Sequence, residues 1–345
     1  MINQIQTYIS KVKQGGVLIM LIPFLSSCID QKEDLIPFVP LSTQSVALGE
    51  NYQNKVYYNL ASKKVVKSAD PYAWDIAFDC SANGFKILVN SANKASVVKF
   101  VGKKFETLFN FPDTTIPEYP RDVNENSAIG HWGQFNSNDP ISYGHIYLIG
   151  RGTRISDGKI LAPKKMVINS CTNGVYSITY SNLDNSDIRD VLLSKSGNAN
   201  FVYYSMEEHK VIDQEPDKSL WDIEFTRYTA EVLPNFPYLV NGILLNPSLA
   251  IAVYVDSTNS NFDKPITKQN LFDFKYNQSI DAIGYDWKTI DFQAVNATYK
   301  IKERMYFIKK ENDQFFKLKF IDFYKAENGK FIKGYPTFLL EKLNL

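Results

Sequence analysis

Two short stretches decide how this sequence is to be read: Trp74-Asp75-Ile76-Ala77-Phe78 and, 147 residues later, Trp221-Asp222-Ile223-Glu224-Phe225. In each, large apolar side chains alternate with other residues. A period of two is that of a strand, whose successive side chains point to opposite faces. The recurrence extends outward from these stretches. Val56-Tyr57-Tyr58 returns as Val202-Tyr203-Tyr204, Trp132 as Trp287, and Asn173-Gly174 as Asn328-Gly329, always in the same order. The offset grows from 146 at the first pair to 155 at the last, as a tandem duplication with a few extra residues in its second copy requires.

The small polar run Ser194-Lys195-Ser196-Gly197-Asn198-Ala199-Asn200 suits a join between the copies, giving expected domains at 51–195 and 196–345. Phe316, Leu318 and Phe320 alternate with Lys317 and Lys319, and Asn328-Gly329 supplies the positive-φ pair of a tight hairpin turn before the next strand. Asn173-Gly174 plays the same part in the first copy. Only 187–194 and 268–273 read as locally helical, and the apolar stretch 239–255 is broken by Asn241-Gly242 and Asn246-Pro247 into strands and turns. The expected fold class is all-β, two antiparallel domains in tandem.

Ahead of the repeats, Lys11 and Lys13 precede the apolar run Val17 to Leu25, which ends in Ser26-Ser27-Cys28. The run is too short to span a bilayer and has the charge, apolar length and small-residue end of a signal peptide. Leu25-Ser26-Ser27-Cys28 is similar to a bacterial lipobox, so residues 1–27 are expected to be removed and Cys28 to carry lipid. Residues 28–50 then form a tether, in which Gln31-Lys32-Glu33-Asp34 resembles an acidic export tag to the cell surface. A plain solvated linker fits the same residues.

The chain has 345 residues, with 38 Lys+Arg against 37 Asp+Glu, and this balance provides no field for nucleic acid. Three His and three Cys are too few for multi-ligand zinc sites or a disulfide scaffold. No nucleophile elbow, zincin or dinucleotide motif occurs, and Gly150-Arg151-Gly152 reads as a turn. Asp75 with Asp79, and Asp222 with Glu224, are the available carboxylate pairs. On half-buried strands they fall on the solvent face, so no enzymatic activity is expected. Cys80 and Cys171 permit one bridge, although two separate buried thiols are the simpler reading.

The second copy resembles the HmuY family in the order of its aromatic landmarks. These are Val202-Tyr203-Tyr204, Trp221 to Tyr228, Trp287-Lys288-Thr289-Ile290, Ala297 to Ile301, Met305 to Ile308 and Phe315 to Tyr324. The first copy is similar in its Trp-Asp-Ile-x-Phe strand, in Trp132-Gly133-Gln134-Phe135 and in its closing hairpin. The resemblance implies an all-β, haem-binding lipoprotein of Bacteroidota on the outer membrane, serving a TonB-type haem receptor. The family's haem-ligating histidine is not retained, since the matching positions are Phe292 and Ser137. Met166, Met206 and Met305 fall in or beside strands and do not carry over as ligands. His131 and His145 in the first copy are the candidate haem ligands, and His209 lies in a polar turn of the second. The alternative is an interaction lipoprotein that kept the fold and lost haem.

Overall fold

The structure is a computed structural model that describes residues 42–110, 128–135, 139–155, 157–233, 236–258, 261–291 and 298–344. Cys28, Ser137 and Phe292 therefore lie outside the described residues. The described fold is almost wholly antiparallel β-sheet. The turns form where the sequence places them: Asn173 and Gly174 have φ of 51° and 74°, and Asn328 and Gly329 of 51° and 73°. The Asn328-Gly329 hairpin joins two long strands, Gln314–Glu327 and Lys330–Leu343.

Two large sheets each carry a core. A five-stranded sheet orders Ser42–Ser45, Lys330–Leu343, Gln314–Glu327, Met305–Lys310 and Ala252–Asp256. A seven-stranded sheet is built around Lys164–Thr172 and Val175–Asn182, with Arg189–Ser194 on its edge. Between these cores stand two four-stranded sheets, and their composition departs from a tandem pair of domains. Val56 to Tyr58, of the first copy, pair with Ile223 to Phe225 of the second. Val202 to Tyr204, of the second copy, pair with Ile76 to Phe78 of the first.

The two copies have thus exchanged hairpins. The first hairpin, Lys55–Asn59 with Lys64–Ala69, completes the second copy's sheet. The second hairpin, Phe201–Ser205 with Lys210–Ile212, completes the first copy's. The cores follow the exchange. Val46, Leu48, Val56 and Tyr58 pack with Phe225, Trp287 and Phe338, whereas Val202, Tyr204 and Met206 pack with Phe78, Trp132 and Tyr176. Both four-stranded sheets therefore take strands from either side of the expected boundary at 195/196.

Two smaller expectations also change, and a third holds. The tether was expected to reach residue 50, yet Ser42–Ser45 pair with Leu340 to Thr337 and Val46 and Leu48 are buried. Ser-Thr-Gln-Ser has no apolar alternation to betray it; backbone pairing to the sheet edge makes it a strand. The 187–194 stretch is the edge strand Arg189–Ser194 and not a helix, because neighbouring Tyr180 to Val175 supply its hydrogen bonds. Helix does form at Lys268–Asp273, where Thr267 and Asn270 make a reciprocal capping box.

Candidate functional site

The repeated Trp-Asp pairs tie each exchanged hairpin to its host. Asp75 donates its N–H to the carbonyl of Tyr204 at 2.9 Å, and Asp222 donates likewise to Tyr58 at 2.9 Å. The Asp75 carboxylate accepts from the Met206 N–H at 2.6 Å, and the Asp222 carboxylate from the Leu60 N–H at 2.7 Å. Each then meets a buried or half-buried cation: Arg151 Nε at 2.7 Å for Asp75, and Lys310 for Asp222. Both aspartates are buried, and so is Glu224. The expectation that these carboxylates face solvent is corrected for Asp75, Asp222 and Glu224, while Asp79 is half-buried and accepts the Ser81 N–H at 2.7 Å.

A cavity of about 120 Å³ lies where the two four-stranded sheets meet. Trp74 and Trp221 line it, each set edge-on to a tyrosine of the exchanged hairpin, Trp74 with Tyr203 at 5.1 Å and Trp221 with Tyr57 at 4.9 Å. The near-symmetry is broken by charge. Lys55 and Glu224 form an ion pair at 2.9 Å, while the corresponding residues of the other sheet are Phe201 and Ala77. Glu215, buried at the same cavity, has its carboxyl pushed up to about 7 by burial, with the nearby Glu224 adding to the effect. Sequence reasoning missed Arg151, Lys55 and Glu215, since partners so distant along the chain leave no local pattern.

The candidate histidines occupy the seven-stranded sheet's short hairpin, in which Gly133 pairs with Ser142 and Gln134 with Ile141. The Trp132 carbonyl accepts from the Tyr143 N–H at 3.0 Å, so His131 and His145 flank the same end of that ladder. Each ring lies against a different aromatic: His131 against Phe135 at 5.4 Å, and His145 against Tyr143 at 5.3 Å. His131 is exposed and His145 half-buried, its pKa lowered by burial and by Lys99. His209, in the polar turn of the second copy, is carried with its hairpin onto the first copy's sheet. There its Nδ1 bonds the Tyr180 hydroxyl at 2.7 Å and its Nε2 lies 3.6 Å from Asp187.

An enclosed haem slot does not fit these residues. Pockets for drug-sized ligands run from about 300 Å³ upward, and the cavity between the sheets is smaller. A shallower groove of about 450 Å³ follows Ser196 to Asp217 and has neither imidazole nor thioether on its walls. Met166 and Met206 are sealed in the core, and Met305 faces a hollow of about 210 Å³. Among the described residues no three His, Cys, Asp or Glu gather as metal ligands. His131 and His145 instead lie outside these hollows, beside Phe135 and Tyr143. Cys80 and Cys171 are separate buried thiols, both pKa values raised by burial.

Residues 197–339 match the family model described as HmuY protein. Solved structures are similar at low identity. An apo HmuY analog of Tannerella forsythia is 8% identical, covering 90% of this chain and 99% of its own, with a TM-score of 0.32. A candidate HmuY_like heme binding protein of Bacteroides vulgatus is 14% identical, covering 51% and 90%, with a TM-score of 0.22. A candidate lipoprotein of Bacteroides fragilis is 15% identical, covering 51% and 88%, with a TM-score of 0.22. No curated protein matches the chain.

Proposed function

Because residues 197–339 are HmuY-like, we propose that the protein is a lipid-anchored binding module of the outer membrane, attached through Cys28 and facing the cell surface. Its ligand in this reading is haem or a related porphyrin, passed to a TonB-type receptor. The observation that carries the reading is the short hairpin that puts His131 and His145 at one end of a ladder, each beside an aromatic ring. Imidazole is a strong axial donor to haem iron, and the flanking Phe135 and Tyr143 would cover part of the porphyrin face. The module is a binder and not a catalyst, since its buried carboxylates are consumed in ion pairs and hydrogen bonds.

The second reading is an interaction lipoprotein that kept the fold without haem. It is favoured by Phe292 and Ser137 at the family's ligand position, and by the lack of a donor in the 450 Å³ groove. Haemin titration of the whole chain separates the two. Haem binding through the hairpin gives a sharp Soret shift that weakens at least about tenfold in the His131→Ala, His145→Ala double variant. No shift in the unaltered protein gives the case to the interaction lipoprotein, and a shift that survives the double substitution removes these histidines from the site.

A further inference from the structure

Glu215 stands at the neck of the second hairpin. The chain enters that hairpin through Asn200 and Phe201 and leaves it at Ile212. The Glu215 carboxyl accepts the Asn200 N–H at 3.0 Å, the Phe201 N–H at 3.3 Å and the Asn200 side-chain amide at 2.5 Å. One side chain therefore binds the incoming strand to the outgoing one. Phe201 and Tyr203, just beyond the neck, form a wall of the cavity, and Trp74 and Trp221 line it with them.

We propose that Glu215 is a pH-sensitive clasp, holding the second hairpin closed over the cavity when protonated and loosening it when ionised. The groups around it set the sign. Glu224 and Lys55 approach from the first hairpin's sheet and neutralise one another. Tyr57 and Tyr203 are sealed beside them, and the Cys80 thiol lies on the host strand's end. An ionised Glu215 would be the second carboxylate beside one ammonium, in a place that little water reaches. The three N–H donors favour the ionised form, yet burial and Glu224 outweigh them. Opening the neck returns the carboxyl to water and to ordinary carboxylate acidity, roughly 4.3. Between that value and about 7 the closed hairpin binds more protons than the open one. Opening then becomes easier by up to about tenfold per pH unit as pH rises, and levels off above.

The hairpin's ion pairs to its host lie at its tip, where Glu207 meets Arg151 at 3.1 Å and Lys159 at 2.6 Å, and His209 bonds Tyr180 there. At the first hairpin's neck the buried carboxylate is Glu224, which is held in an ion pair with Lys55 at 2.9 Å. The residue after its last strand, Asp70, is exposed and caps the Tyr72 N–H. The molecule thus holds its own control. Native-state hydrogen exchange of the Val202 to Tyr204 amides, corrected for intrinsic rate, should show opening that increases roughly 40-fold from pH 5 to pH 7. The Val56 to Tyr58 amides should stay nearly level. Glu215→Gln should flatten the second hairpin's profile, and His209→Gln should leave it sloping. Equal profiles for the two hairpins in the unaltered protein overturn the clasp, a comparison that stands even if Glu215→Gln fails to fold. A slope that survives Glu215→Gln, or vanishes in His209→Gln, overturns it as well.

Discussion

Asp75 shows what a single side chain does in this architecture. Its carboxylate accepts both Nε and Nη2 of Arg151 and the Met206 N–H, while its own N–H holds the Tyr204 carbonyl. Arg151 is 2% exposed, so removing Asp75 would leave its Nε and Nη2 without their acceptor away from water, with Glu207 at Nη1 as its remaining carboxylate. Breaking a buried pair from one side costs roughly 3–5 kcal/mol, and the half-buried Glu207 offsets only part of that. Asp75→Ala should accordingly lower the urea midpoint by up to that equivalent. Asp213→Ala, which removes a solvated partner of Lys67, should leave it essentially in place. A loss in Asp75→Ala no larger than in Asp213→Ala would mean that Arg151 finds water or another partner. The Trp-Asp spacing was legible as a repeat, but the fate of the carboxylate was not. Alternation reports which residues share a face and is silent on whether a second sheet covers that face.

At the scale of elements, the exchanged hairpins decide which part of the chain can fold. Residues 196–345 keep the second hairpin but lose Ser42–Ser45 and the first hairpin, and with them Val46, Val56, Tyr58 and Leu60 from their core. The strand Ile223–Leu233 would also lose its partner Lys55–Asn59 and present an open edge, a template for association. A fragment beginning at residue 196 should therefore fail to give a monomeric, cooperative melt by circular dichroism and size-exclusion chromatography. Monomer with a melt as sharp as the whole chain's would show that the fragment takes back its own hairpin. Domain exchange between like units needs little more than linkers long enough to cross. Here 70–75 and 213–222 are those linkers, and both hairpins carry the same Val-Tyr-Tyr strand, so each host accepts the other's.

At the scale of the whole molecule, the proposed attachment rests on one atom outside the described residues. No helix among the described residues is long and apolar enough to cross a membrane. The lipobox reading makes the Cys28 thiol the anchor, with residues 29–41 between it and the first described strand. At no more than about 3.6 Å per residue, that tether spans at most roughly 45 Å. Stable attachment needs more than one acyl chain, which lipoprotein maturation at a single cysteine supplies. Cys28→Ala should move the protein from the membrane pellet to the soluble fraction. A variant that still sediments after a salt wash would refute the lipid anchor.

The sequence by itself determined that the protein is antiparallel β, that its landmarks occur twice in one order, and that its turns fall at Asn173-Gly174 and Asn328-Gly329. Each of these rests on local chemistry: the period of the strand, the positive φ that Asn-Gly tolerates, and self-similarity along the chain. Its likeness to HmuY over the second copy came from the same ordered landmarks, and the family match spans 197–339. Only the tertiary structure decided which copy each hairpin serves. Val56-Tyr57-Tyr58 and Val202-Tyr203-Tyr204 are nearly the same strand, so pattern alone assigns each to its own copy, and linker path and packing choose otherwise. The same exchange buried Asp75, Asp222 and Glu224, brought Glu215 to Asn200, and moved His209 onto Tyr180. Those outcomes depend on contacts between residues far apart in the chain, where sequence period carries no information.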